Sequence, residues 1–287
     1  MAKRKSDSGG STDPVDSSAR TIDTSGPFAI ETIDLVKEYW DREASFLRKT
    51  KKRVVDQVNI QIRQGEIYGF LGKNGAGKTT TIKMILGLTF PTSGSIRIFG
   101  HSGDDPATRS IIGFAPEKPS FYPHLRAAEL MSYAGELMGL SRSVIRERTS
   151  RLLALVGLPD EANTMVMNFS KGMQQRLGVA QSLIGDPRLI IFDEPATGLD
   201  PFGRKFVKDL ILHLKSEGKT VFFSSHQLLD VQEVCDRVGI IHRGKMICQD
   251  TVDKVLAGES SLEEKFVSMI QGLGVNEGMF DPKKVGE

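Results

Sequence analysis

Gly72-Lys73-Asn74-Gly75-Ala76-Gly77-Lys78-Thr79 directly follows the apolar run Ile67-Tyr68-Gly69-Phe70-Leu71. A G-x-x-x-x-G-K-[ST] pattern between a strand and a helix is a phosphate-binding loop. Gly72, Gly75 and Gly77 let consecutive backbone N–H groups converge on a phosphate, where a Cβ would block the approach. Lys78 can reach the β- and γ-phosphates of a nucleoside triphosphate, and the Thr79 hydroxyl can ligate Mg²⁺. The helix that opens near Lys78-Thr79-Thr80 adds roughly half a positive charge facing the anion. The loop sets the ligand class; what the binding serves must come from the rest of the chain.

Upstream, residues 28–70 alternate in short β-type runs such as 54–62, with Gly65-Glu66 as a turn before the P-loop strand. Between these runs lies Arg48-Lys49-Thr50-Lys51-Lys52-Arg53. It is expected to be a solvated loop between two strands, with contact to anionic lipid or to a partner as the sharper alternative. Downstream, 79–88 reads as a helix ended by Pro91-Thr92-Ser93-Gly94, followed by strands at 95–99 and 111–115. From about 124 the period becomes helical, with Leu130, Met131, Ala134, Leu137 and Met138 on one apolar face and Leu152, Leu153, Leu155 and Val156 on another. The methionines there are expected to be core filler. Leu189-Ile190-Ile191-Phe192 and Val221-Phe222-Phe223 are apolar throughout, as strands covered on both faces are. The helical stretch therefore reads as an insertion in an α/β domain. No internal repeat gives a second copy of the site.

At 287 residues, the chain can bury one large core or two modest ones. A net charge of +2 is too small to imply nucleic-acid binding. The longest charge-free segment, between Lys83 and Arg97, contains Pro91 and two glycines and falls short of the ~20 apolar residues a bilayer span needs. Cys235 and Cys248 have no metal-type spacing and read as reduced core thiols. Residues 1–27 are dominated by Ser, Asp, Gly and Thr, which predicts a disordered tail. Lys3-Arg4-Lys5 is not followed by the apolar stretch of a signal peptide.

Asp193-Glu194 follows the strand at 189–192, so both carboxylates fall at the strand's C-terminal edge, where open α/β sheets bind ligands. Beside a P-loop, the first acid suits Mg²⁺ and the second can orient an attacking water. Ser170 is placed as N-cap of a helix over 173–183, making that helix start a second potential anion site.

The ordered set of P-loop, Gly113-Phe114-Ala115-Pro116-Glu117, Ser170-Lys171-Gly172, Leu189–Glu194, Gly198-Leu199-Asp200 and Ser224-Ser225-His226 resembles the ATP-binding subunit of an ABC transporter over roughly residues 30–250. The resemblance implies an α/β fold of the P-loop NTPase type: a RecA-like mixed sheet core, a helical subdomain at about 120–185 and an antiparallel β subdomain. It places the ATP-binding domain at 28–250 and a C-terminal extension at 251–287. It implies ATP hydrolysis with Mg²⁺. Gly72, Lys73, Asn74, Gly75, Ala76, Gly77, Lys78, Thr79 and Thr80 would hold the phosphates, with Thr79, Asp193 and Glu117 at the metal. Glu194 would be the base and His226 the switch histidine, joined by Lys78 as catalytic groups.

The same resemblance implies a homodimer in which Ser170, Lys171, Gly172 and Gln174 reach the ATP of the opposite subunit and Asp200 helps join the two. Lys171 stands where the family usually has glycine and adds a cation near the partner's phosphate, while Met173 replaces the usual glutamine. Glu117 stands where the hinge glutamine is usual. Tyr39 is the candidate for stacking on adenine, with Trp40 or Phe46 as alternatives. The variant motifs look like those of ABC-2 type systems, mostly exporters. They imply a cytoplasmic subunit held at the inner face of the membrane by separate permease subunits, with no nucleic acid partner. The rival is a soluble ABC-type ATPase acting on a ribosome or on DNA. The segment Leu262-Glu263-Glu264-Lys265-Phe266 reads as a short amphipathic helix packed on its own domain.

Overall fold

The computed structural model describes residues 26–40, 50–259 and 261–272. Phe46, Arg48, Lys49 and nearly all of the expected disordered tail lie outside the described residues. Phe28–Trp40 (β1) and Lys51–Arg63 (β2) pair antiparallel, with Ile30 opposite Ile62 and Leu35 opposite Val58 on the buried side. The buried Thr32 hydroxyl donates to Val58 O and accepts from Ile60 N, both at 2.9 Å, so no polar group is stranded there. Lys51, Lys52 and Arg53 belong to β2, which corrects the reading of this basic run as a loop. They lie opposite Trp40, Tyr39 and Glu38, and the Arg53 guanidinium is 3.0 Å from the Glu38 carboxylate. Opposite charges facing each other across an antiparallel pair stabilise strand continuation that composition alone disfavours.

Ile67–Leu71 (β3) is buried at every position and runs into the glycine loop and the helix Lys78–Ile85 (α1). Ser93–Ile98 (β4) and His101–Ser102 (β5) extend the antiparallel sheet to the order β2-β1-β4-β5. After Pro106–Arg109 (α2) and Ile112–Ala115 (β6) come three helices, Ala127–Leu137 (α3), Arg142–Leu155 (α4) and Lys171–Leu183 (α5). Leu189–Asp193 (β7), Pro201–Ser216 (α6), Thr220–Ser225 (β8), Leu228–Val234 (α7), Arg237–His242 (β9) and Lys245–Thr251 (β10) complete a six-stranded sheet in the order β10-β9-β3-β8-β7-β6. All its pairings are parallel except β10 with β9. Val252–Leu256 (α8) and Leu262–Gly272 (α9) follow.

Strand alternation divides the core. Ile67, Ile190, Phe192, Val221 and Phe223 face the helices, while Tyr68, Phe70, Leu189, Ile191 and Phe222 face α1 and the antiparallel sheet. Both faces are covered, which is why these strands carry no polar alternation. In the helical layer, Leu130, Met131 and Ala134 are buried as expected, but Leu137 is 71% exposed and Met138 41%. The closest approach to α4 is at Gly135, where an added Cβ would lie 2.7 Å from Ile145 Cγ1. Leu137 is two residues further, roughly 200° round the helix, and so points away from α4. At the C-terminal end, Leu262, Phe266 and Ile270 recur every four residues and are buried against the helical side of the core, as an amphipathic helix packed on its own domain requires. Cys235 and Cys248 are free thiols, half-buried beside that same core, and burial pushes both above the ordinary thiol range.

Gly113 in β6 holds α5 close to the sheet: a Cβ there would sit 2.3 Å from Ser182 O and 2.8 Å from Pro187 Cγ. We predict that Gly113→Ala destabilises the fold by about 1–3 kcal/mol, seen as a lower urea midpoint at unchanged slope.

Candidate nucleotide site

The glycine loop is shaped by backbone crowding. At Gly72 a Cβ would meet Ile241 O at 2.5 Å, and Gly77, at φ +113°, leaves α1 without a side-chain cap. No acidic residue occupies the first turn, so the free N–H groups of that turn are open to an anion.

Lys78, 5% exposed, points back into the loop and donates to Gly72 O at 2.5 Å. Its ammonium is also 3.0 Å from Glu194 Oε1. That oxygen has no well-aligned hydrogen-bond donor among the described residues and is held by charge. Glu194 Oε2 is bonded to His226 Nδ1 at 2.6 Å and accepts from Thr197 Oγ1 at 3.0 Å. Burial works to raise the Glu194 carboxyl, but the charge of the Lys78 ammonium, together with the hydrogen bonds from His226 and Thr197, outweighs it and holds the group below its ordinary range. Next to it, buried Asp193 accepts from Ser224 Oγ at 2.6 Å and from Thr79 Oγ1 at 3.3 Å. Ser224 also accepts from Glu194 N at 3.0 Å. This serine was quoted in the sequence only as part of the run before His226. Its place follows from the parallel register, in which Asp193 of β7 lies beside Ser224 of β8.

Glu117, Lys73, Asn74, Thr79, Thr80 and Glu194 share one cavity of about 140 Å³ with Gly75, Gly77 and Lys78 of the loop. Tyr39 does not line that cavity. It lies at the end of β1 with the Lys37 ammonium 5.1 Å from its ring, and Val54 lines the cavity instead. Trp40 is 62% exposed beneath Lys51.

The Ser170 group stands elsewhere. Ser170 caps α5, accepting from Met173 N at 3.2 Å, and Gln174 Nε2 donates to Phe169 O at 3.2 Å. Gly172 has open space on its Cβ side. Lys171 Nζ lies against Gly198, where a Cβ would be 3.0 Å from it. Asp200 caps α6, accepting from Gly203 N at 2.7 Å. Ser170, Gly172 and Asp200 line a separate cavity of about 430 Å³. A single chain therefore does not bring the two anion sites into one cavity.

The sequence profile of the ABC transporter family matches residues 55–197. A lantibiotic transport ATP-binding protein of Streptococcus pyogenes is 40% identical over 77% of this chain and 92% of its own length. The chain belongs to the ABC transporter family. The bacitracin transport ATP-binding protein BcrA of Bacillus licheniformis is 43% identical over 76% of this chain and 68% of its own. An uncharacterised ABC transporter ATP-binding protein of Synechocystis is 39% identical over 82% of this chain, and the match spans 66% of that relative's length. A solved ATP-binding subunit of an ABC transporter superposes with a TM-score of 0.74 at 31% identity, covering 84% of this chain and 99% of that one. A dimeric ATP-binding cassette in a post-hydrolysis state with ADP and Pi superposes at 0.70 with 25% identity, covering 78% and 98%. The resemblance read from the motifs thus holds for family and fold: this is an ABC-type ATP-binding subunit, of the ATPase class.

Because the folded Glu194 carboxyl lies below its ordinary value of 4.5, the stability this pairing gives is fully present above that pH and is lost as pH falls through the lower folded value. We predict that the wild type exceeds Glu194→Gln in urea midpoint near pH 7, and that the gap narrows toward about pH 3. A gap that stays constant would mean that the Lys78–Glu194 charge contact contributes nothing.

Proposed function

We propose that two copies of this chain sandwich two ATP molecules, each held by the P-loop of one copy and the Ser170 helix start of the other, and that closure and hydrolysis drive a separate membrane permease. The observation that carries this reading is the division described above: an anion site at Lys78–Glu194 and a second capped helix start at Ser170 that one chain leaves in a different cavity. A two-fold dimer supplies the missing wall to both. Among the described residues no helix is long and apolar enough to cross a membrane; in this reading separate permease subunits span it and the chain works at its inner face. Export is the direction favoured by the names of relatives, which concern bacitracin and lantibiotic transport and linearmycin resistance.

In this reading Lys78 leaves Glu194 for the β- and γ-phosphates, and His226 turns to the γ-phosphate. Glu194 then keeps its burial but loses the ammonium that suppressed it, so its proton affinity rises when a base is needed. It takes the proton of a water whose oxygen bonds to the γ-phosphorus, and the bond to the β-phosphate oxygen breaks with its electron pair left on ADP. Thr79 and Glu117 line one cavity, and Asp193 lies behind Thr79 at 3.3 Å from its hydroxyl; a hydroxyl and two carboxylates are an all-oxygen set that fits Mg²⁺ better than a softer metal. When bound, Mg²⁺ would neutralise phosphate charge. Lys171, Gly172 and Gln174 would meet the partner's ATP, Asp200 the partner itself, and Tyr39 the adenine once the β1–β2 hairpin closes on it.

Light scattering with Mg-ATP should find Glu194→Gln as a dimer, with hydrolysis reduced by roughly 10²–10⁴-fold. Ser170→Ala should also hydrolyse poorly. Mixing the two variants should restore activity, up to roughly a quarter of wild type, because a two-fold heterodimer rebuilds one complete site. Monomers throughout, or no gain on mixing, would overturn the shared-site reading.

A further inference from the structure

The C-terminal extension reaches the catalytic loops. Phe266 of α9, 7% exposed, lines one cavity of about 280 Å³ with Gly72, Lys73 and Asn74 of the P-loop, His226, and Leu228 at the start of α7. The helix is anchored to the same switch segment, since Leu262 N–H donates to Gln232 Oε1 of α7 at 3.0 Å. Between β8 and α7 the chain carrying His226 is short, and Ser225 Oγ accepts from Gln227 N at 2.9 Å to tighten it. His226 is thus held to the Glu194 carboxylate at 2.6 Å and shares with Leu228 and Phe266 a cavity whose apolar wall those two residues form. Such a wall limits how far the imidazole can swing without limiting how the P-loop backbone meets phosphate.

We propose that Phe266 is a positioning residue for ATP hydrolysis, holding the switch loop so that His226 stays within reach of Glu194 and of the γ-phosphate. The inference rests on the ATPase reading and assigns to the C-terminal helix a part in the chemistry. Anything that lifted α9 from α7 would slow turnover while leaving ATP bound.

The test is steady-state hydrolysis by the full chain. Phe266→Ala should lower kcat by roughly tenfold, short of the ~100-fold that an ångström of misplacement can cost, with KM for ATP unchanged. Phe266→Leu should recover most of the rate. Ile270→Ala, on the same buried face but outside this cavity, should turn over like wild type. If Phe266→Ala fails to fold, Leu228→Ala, on a partly exposed part of the same wall, should give the same kcat-only loss. Wild-type kcat in whichever of these two variants folds, or an equal loss in Ile270→Ala, would overturn the proposal. An inactive wild type would instead overturn the ATPase reading itself.

Discussion

Three parallel strands buried at every position set the geometry on which the chemistry depends. β3, β8 and β7 lie side by side with Leu71 beside Ser225 and Asp193 beside Ser224, so all three end at one edge of the sheet. The residues that follow each end are those with charge to offer: the glycine loop and Lys78, then Ser225-His226, then Glu194. A slip of one residue in any of these strands would turn every core side chain to the wrong face, so hydrophobic burial itself fixes the relative height of the polar groups. Positional accuracy at the site is thus a by-product of packing Phe70, Phe192 and Phe222 inside.

Within that frame the chain pairs its buried charges internally. Lys78 and Glu194 are both nearly inaccessible, and each would be costly to bury alone. Their contact at 3.0 Å places opposite charges together inside the site, so neither is buried unpaired.

Much of this was legible in the residues, for identifiable reasons. Gly72 and Gly77 are constrained by backbone approach, Gly75 by its φ of +80°, and Asp193-Glu194 by the end of an apolar run; all leave local signatures. Ser170 as a cap is equally local, and the structure has it accepting from Met173 N. What escaped was non-local. Lys51–Arg53 continues a strand because Glu38 lies opposite it, thirteen or more residues away in the chain. Leu137 is exposed because Gly135, not an apolar residue, marks the line of closest helix contact. Phe266 comes to the P-loop across nearly the whole length of the described fold, and no periodicity in residues 262–272 tells which neighbour its buried face will find.

Glu194 has one further property, a left-handed backbone at φ +52°. Residues with a β-carbon avoid this region, and a glutamate held there costs on the order of 1 kcal/mol or more. Glycine would relax the turn and remove the carboxylate. The carboxylate at this position is therefore kept against the local backbone preference, and the hydrogen bonds that Glu194 N donates to Ser224 Oγ and that its carboxylate accepts from Thr197 Oγ1 supply the restraint that keeps the costly conformation occupied.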